Sequence, residues 1–339
     1  MYPTSTRPAR ARTGYRRHTG ILALLAALVS LTGLAVAGLR LSDSGPVAPF
    51  LPATTPTILA TSGTGAAAPR RPVLGPVSWP AYGVSAADIS GVGVVAGPGA
   101  TRPVPIASVA KLMTAYVVLH DHPLAANEPG PQITVQPLEA AAYPAQVREG
   151  DSLVPVVAGE TLTERQALEA LLLPSADNMA WILARWDAGS QAAFVARMNA
   201  TADRLGMTGT TYTDPSGLDS STTSTAADQV RLGRAAMQVP ALAAITAMHT
   251  AVVPVAGVVR NYNTLLGQDG IVGLKTGSTQ AAGGCVLVAA WHKAGAHNTL
   301  IIAATFGQPG TAQTILPNAL QAGHMLVLAL DHALGGSRR

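Results

Sequence analysis

With 339 residues, 48% of them hydrophobic and 12% charged, the chain is long enough to bury a sizeable core and is not of disordered composition. Its formal charge of +4 is concentrated at one end. Arg7, Arg10, Arg12, Arg16, Arg17 and Arg40 lie in the first 40 positions, which hold no acidic residue, while the remaining 16 Lys and Arg face 18 Asp and Glu. The body therefore lacks the basic surplus that binding nucleic acid requires, and no nucleic-acid partner is expected. The single cysteine, Cys285, excludes an internal disulfide and any CxxC metal or redox pair. In "GGCVLVAA" it reads as an inert thiol on a buried strand.

Residues 1–20 form a basic head, which the charge asymmetry keeps in the cytoplasm. Residues 21–39, "ILALLAALVSLTGLAVAGL", carry no charge and are just long enough to span a bilayer as a helix. They read as a transmembrane anchor. The small-x-small run Ala35-Val36-Ala37 keeps a cleaved signal peptide as the alternative. Either way, the body is expected outside the cytoplasm. Residues 40–78 are rich in Pro, Ala, Thr, Ser and Gly without a persistent period, and read as a semi-stiff linker. Any membrane tether is expected to come from the N-terminal helix.

The pattern changes at Trp79, and residues 79–335 read as one folded domain. Two short strands are expected near Tyr82 to Ala86 and Gly91 to Ala96. Helices are expected over Ser108 to His120, Thr163 to Leu173, Asn178 to Trp186, Gln191 to Leu205 and Ala226 to Met237. Val286 to Trp291 and Thr299 to Phe306 read as a strand hairpin, followed by an apolar helix from about Thr311 to Leu334. Strands at both ends with helices between and after predict an α+β fold. In it the first and last strands lie side by side in an antiparallel sheet.

Lysine is scarce: only Lys111, Lys275 and Lys293. Lys111 stands three residues after Ser108 in "SVAKLMTAY", so both share one face at a helix N-terminus. There free amides and the macrodipole favour a developing anion. A serine hydroxyl becomes a nucleophile when a base takes its proton. A lysine can be that base when desolvation or a nearby cation makes it a neutral amine. Lys275 sits in "GLKTGST" at a strand, where its ammonium and the hydroxyl of Thr276 can hold a carboxylate. Gly277 lets a substrate backbone lie close. Between them, "LPSADNMA" places Ser175 in a helix–helix loop, where it can relay a proton. The eight histidines show no HExxH pattern, and neither metal nor cofactor is expected. "DPSGLD", residues 214–219, reads as a turn that holds a loop near the site.

SxxK, a Ser-x-Asn-like loop and KTG, in this order, form the signature of penicillin-binding proteins and serine β-lactamases. From about Trp79 to Leu334 the chain resembles the low-molecular-weight D-alanyl-D-alanine carboxypeptidases. The blocks "IASVAKLMTAYVVL", "ALEALLLPSADNMAWILA" and "DGIVGLKTGSTQAAGGCVLVAA" carry the likeness. The resemblance implies a β-lactamase/transpeptidase-like fold with a five-stranded antiparallel sheet flanked by helices and a helical subdomain. It implies removal of the terminal D-alanine from peptidoglycan stem peptides and covalent inhibition by β-lactams. In those terms Ser108 is the nucleophile, Lys111 its base and Ser175 a proton shuttle. Lys275 and Thr276, with Gly277 and Ser278 beside them, bind substrate. The amides of Ser108 and Ser278 form the oxyanion hole.

One departure stands out. Where the family pattern has Asn, this chain has Asp177, with Asn178 one step later; both are candidate substrate-binding residues. An ionised aspartate cannot donate to a substrate carbonyl as an amide can. A catalytically impaired wall- or penicillin-binding homologue is therefore an alternative. A β-lactamase is another, disfavoured because no glutamate follows Glu169 to activate a deacylating water.

Overall fold

The computed structural model describes residues 49–59, 74–294 and 297–335. The apolar run 21–39, expected as an anchor or signal peptide, lies outside them. No helix among the described residues is long and apolar enough to cross a membrane.

In chain order, β1 (Thr57–Ile58), β2 (Val84–Ile89), β3 (Gly93–Ala96) and β4 (Val104–Pro105) precede a 3-10 turn, Ala107–Ala110, that runs into α1 (Lys111–Asp121). Then come β5 (Gln132–Thr134), α2 (Pro137–Glu149), β6 (Thr161–Thr163), α3 (Glu164–Leu172), α4 (Asp177–Ala188) and α5 (Gln191–Arg204). The chain continues through β7 (Thr223–Ser224), α6 (Ala226–Ala236), α7 (Pro240–Thr246), β8 (Thr250–Val253) and β9 (Gly257–Arg260). It closes with β10 (Ile271–Thr279), β11 (Gly283–Ala294), β12 (His297–Gln308) and α8 (Ile315–Ala333).

The main sheet is antiparallel in the order β1-β3-β2-β12-β11-β10. The first long strand, β2, thus lies beside the last, β12, as the sequence suggested. Both faces are covered, so β11 is apolar without interruption. Val286, Val288 and Ala290 point to the cluster under α8 with Leu326 and Leu330. Cys285, Leu287 and Ala289 point the other way, into the larger core that holds Met113, Leu168 and Met179. That alternation is the two-residue period of a strand with a hydrophobic layer on each side. Cys285 is buried, and burial pushes its thiol up to about 12, as fits a structural thiol.

Two expectations are corrected. The linker reading of 40–78 fails for residues 49–59 and 74–78, which belong to the folded unit. Leu51 N donates to Trp79 O at 2.8 Å, Thr54 N to Val77 O at 3.0 Å and Gly75 N to Ala333 O at 2.8 Å. Backbone pairing of this kind needs no side-chain period, so the Pro- and Thr-rich composition hid it. β1 in turn pairs with β3, which makes the sheet six-stranded instead of five-stranded.

Each helix that frames the site starts on a local signal. Thr163 accepts from Gln166 N at 3.1 Å while Gln166 Oε1 accepts from Thr163 N at 3.0 Å, a capping box that starts α3. Gly189 in the left-handed region ends α4, and Ser190 caps α5. α2 was not anticipated; its only strong signals are Pro137 at the first turn and the box between Gln136 and Glu139.

Candidate active site

Three segments converge. The 3-10 turn and α1 bring Ser108 and Lys111, the α3–α4 loop brings Ser175 and Asp177, and edge strand β10 brings Lys275, Thr276, Gly277 and Ser278. Both lysines are buried, Lys111 at 0% and Lys275 at 1% exposure, while Ser108 is half-buried and Ser278 exposed. Buried lysines are rare unless paired; each of these two has its own set of acceptors.

Lys111 Nζ lies 2.7 Å from Ser108 Oγ, 2.6 Å from Asp177 Oδ1 and 2.9 Å from the Ser216 carbonyl. A charged ammonium spends its three N–H groups on these acceptors. A neutral amine has two N–H groups and a lone pair. With the N–H groups on Asp177 and Ser216, the lone pair is left facing the Ser108 hydroxyl. The contacts thus fit either form of the amine, and in the neutral form the lone pair faces Ser108.

Lys275 Nζ donates to Ser175 Oγ at 2.9 Å and to Thr276 O at 2.8 Å. Burial, then the Lys111 cation, hold its ammonium well below the usual lysine range, with Asp177 opposing. Gly277 is set against the Ser108 turn: a Cβ there would come 2.9 Å from Ser108 N and 3.0 Å from Val109 N. Only glycine lets β10 lie this close to that turn.

Backbone conformation marks both serines. Ala107 has φ 47° and Ser175 φ 63°, left-handed values that a residue with a Cβ adopts only when its surroundings impose them. Ala107 turns the chain so that Ser108 heads the helix, and Ser175 points its hydroxyl at Lys275.

Asp177 and Asn178 take different roles from those expected. Asp177 Oδ1 binds Lys111 and Oδ2 accepts from Ser152 N at 3.0 Å. Asn178 is corrected as a substrate ligand. Its Oδ1 accepts from Val154 N at 3.3 Å and its Nδ2 donates to Val154 O at 2.8 Å, so its amide is spent on main chain. The helical turn of α4 puts the two side chains on different faces, and only Asp177 reaches Lys111. Nearby, burial first, then Asp177 and Glu149, push the Asp151 carboxyl up, while Lys111 pulls it down.

Two groups at the site escape sequence reading because they are main-chain atoms: the Ser216 carbonyl on Lys111 and the Ser152 amide on Asp177. The 214–219 turn supplies the first. Asp214 Oδ2 accepts from the amides of Ser216, Gly217 and Leu218 at 3.1, 2.8 and 3.1 Å, which locks the turn. Thr114 Oγ1 donates to Pro215 O at 2.6 Å and ties it to α1. Among the described residues no cluster of three His, Cys, Asp or Glu could hold a metal ion.

A half-buried serine on a buried lysine beside an antiparallel edge strand, with a second buried lysine on that strand, places the chain in the β-lactamase/transpeptidase-like class. The sequence profile of the D-alanyl-D-alanine carboxypeptidase family matches residues 87–309, and the chain belongs to that family. It is 37% identical over 203 residues to a D-alanyl-D-alanine carboxypeptidase of Mycobacterium tuberculosis, covering 58% of this chain and 65% of that one. It is 39% identical over 139 residues to a D-alanyl-D-alanine endopeptidase of Pseudomonas aeruginosa, covering 41% of this chain and 42% of that one. The alignments thus span less than two thirds of either relative. A crystal structure of D-alanyl-D-alanine carboxypeptidase from M. tuberculosis superposes with TM-score 0.60 at 31% identity, covering 78% of this chain and 92% of that one. A Streptomyces DD-transpeptidase superposes with TM-score 0.62 at 23% identity, covering 78% and 98%, and supports the fold.

Proposed function

We propose that the chain is a serine-type D-alanyl-D-alanine carboxypeptidase that removes the terminal D-alanine from peptidoglycan stem peptides through an acyl-enzyme. The observation that carries this reading is the double pair: Lys111 Nζ 2.7 Å from Ser108 Oγ, and Lys275 Nζ 2.9 Å from Ser175 Oγ. In this reading Lys111 takes the Ser108 proton and Oγ attacks the carbonyl of the penultimate D-alanine. The amides of Ser108 and Ser278 receive the oxyanion, a large part of the catalytic effect in acyl transfer. Lys275 and Thr276 hold the substrate carboxylate, and Ser175 relays the proton held by Lys111 to the leaving amine as the amide C–N bond breaks. Water then attacks the ester, giving a proton to Lys111, which returns it to Ser108 Oγ as the acyl group leaves as a carboxylate-bearing product. β-Lactams would acylate the same Ser108.

The spent carboxylate of Asp177 favours a second reading, a slow or impaired enzyme that still binds penicillin. Incubation with a fluorescent penicillin and a D-Ala-D-Ala peptide separates the two. Labelling with D-alanine release supports a carboxypeptidase, labelling without release the impaired form, and neither refutes both.

The uncharged run 21–39 behind five arginines supports placing this domain outside the cytoplasm, held by an N-terminal membrane helix or released after Ala37. Protease added to intact protoplasts should digest it. A protected, full-length soluble product would refute the placement, and an N-terminus at Gly38 would favour the signal peptide.

A further inference from the structure

We propose that Asp151 is a positioning residue for the catalytic base: a second carboxyl group behind Asp177, whose negative charge helps hold the proton on Lys111 and so slows attack by Ser108. The inference rests on the reading of Lys111 as the base and adds to it a residue outside the three sequence motifs.

The backbone carries Asp151 to the site. Gly150 ends α2 in the left-handed conformation, with φ 83°, and the Asp151 amide donates back to the Gln146 carbonyl at 3.2 Å. The next residue, Ser152, is bonded to Asp177 twice. Its amide donates to Asp177 Oδ2 at 3.0 Å, and its carbonyl accepts from Asp177 N at 2.6 Å. Neighbouring Cα atoms are about 3.8 Å apart, so Asp151 stands one step from the segment clamped to the carboxylate that binds Lys111. The Asp151 side chain is half-buried, and its Oδ2 is a buried atom with no hydrogen-bond partner among the described residues. Asp177 differs, because both of its oxygens are bonded. A buried carboxyl oxygen without a donor either takes up a proton or leaves its charge to act on neighbouring groups.

Charges act on Asp151 from three elements: Glu149 at the end of α2, Asp177 at the head of α4 and Lys111 of α1. Burial first, then Asp177 and Glu149, raise the Asp151 carboxyl, and Lys111 lowers it. Beyond them, Lys275 of β10 is coupled to Lys111 and Asp177. The coupling of Asp151 with Lys111 is mutual: as far as the ammonium favours the Asp151 anion, the anion favours the ammonium. At acid pH Asp151 is neutral and adds nothing. Once it ionises, Lys111 is under two carboxylates, Asp177 in contact and Asp151 behind it. The neutral amine then forms less often beside Ser108 Oγ, which lies 2.7 Å away.

The scarcity of lysine makes this measurable in the full-length protein. Lysine isotopically labelled at Cε gives three NMR signals, and the one lost in Lys111→Arg belongs to Lys111. In Asp151→Asn the proton affinity read from that signal should fall about fivefold, the size of one partly screened charge pair. Acylation by a fluorescent penicillin should match the unaltered protein at acid pH and run about fivefold faster at neutral pH. Asp151→Glu keeps the charge and should stay near the unaltered rate at both. A merely structural role would instead lower the Asp151→Asn rate by the same factor at every pH. That result, or a Lys111 titration unmoved by Asp151→Asn, would overturn the proposal. Normal acylation by Lys111→Arg would sink the reading of Lys111 as base, and the NMR titration would still decide whether Asp151 holds the Lys111 proton.

Discussion

Asp177→Asn is the substitution that bears most directly on rate. The carboxylate is buried at 3% exposure, and its Oδ1 lies 2.6 Å from Lys111 Nζ. An anion there stabilises the ammonium of Lys111, and that form cannot take the Ser108 proton. A hydrogen bond to a charged partner contributes about 1.5–3 kcal/mol against about 1 for a neutral pair, so the amide relaxes this hold by about 1–2 kcal/mol. The amide also gains an N–H donor for the substrate carbonyl, about another 1 kcal/mol. Together these predict acylation faster by roughly 10- to 100-fold at neutral pH. The amide has one acceptor oxygen where the carboxylate has two, so either Lys111 or Ser152 N loses its partner. A stability loss of about 1–2 kcal/mol should accompany the gain in rate. Stopped-flow acylation by a fluorescent penicillin across pH, with urea unfolding in parallel, reads both effects. Unchanged acylation in Asp177→Asn together with a crippled Asn178→Ala would show the reasoning to be wrong, because the structure gives Asn178 only the task of holding Val154.

Ser108→Ala should leave unfolding nearly unchanged and abolish covalent penicillin labelling; label found on another serine by mass spectrometry would reassign the nucleophile. The depressed Lys275 predicts a KM for carboxylate-bearing peptides that rises with pH, its midpoint well below the usual lysine range. A peptide with an amidated terminus should lack that rise, and identical profiles for the two would remove Lys275 as the carboxylate anchor. Glu164 is fully buried, both its carboxyl oxygens lack partners among the described residues, and burial, with Glu128 and Asp187 nearby, pushes it up to about 8. The native state keeps this proton where the unfolded chain, near its ordinary 4.5, has released it. Stability is therefore full below the lower value and falls as pH rises toward the higher one, by on the order of a few kcal/mol. Urea midpoints at low and high pH measure this fall, and it should flatten in Glu164→Gln; an equal fall in that variant would locate the titration elsewhere.

Side chains with a pattern were legible, and main-chain chemistry was not. The 3.6-residue spacing of Val109, Leu112, Met113 and Tyr116 indicates α1, and the serine–lysine spacing follows from it. The apolar runs around Val288 and Ile302 give β11 and β12, because a strand covered on both faces must be apolar throughout. α2 has no buried residue and a proline, Pro144, inside it, so no apolar stripe announces it. β1 and the bridges around Thr54 are held by amides and carbonyls that every residue possesses. The same limit applies at the site. A scan of side chains found both lysines and Asp177, but the Ser216 carbonyl and Ser152 amide depend on which turn comes to rest where.

The pairing of β1 with β3 has a consequence for how the molecule presents itself to other polypeptides. An unpaired strand edge is a template for any extended chain, wanted or not. On this sheet β1 covers the β3 side with two residues, too short to template much. That leaves β10, which carries Lys275 and Thr276, as the sheet's long open edge. Among the described strands, an extended peptide added at this edge would lie along β10, beside Ser108. A fragment cut at Trp79 discards β1, the Thr54–Val77 pairing and Leu51, the partner of Trp79, and opens a second edge far along the sheet from the site. Such a fragment would gain a sticky flank without gaining a binding site, and self-association would compete with the binding of substrate.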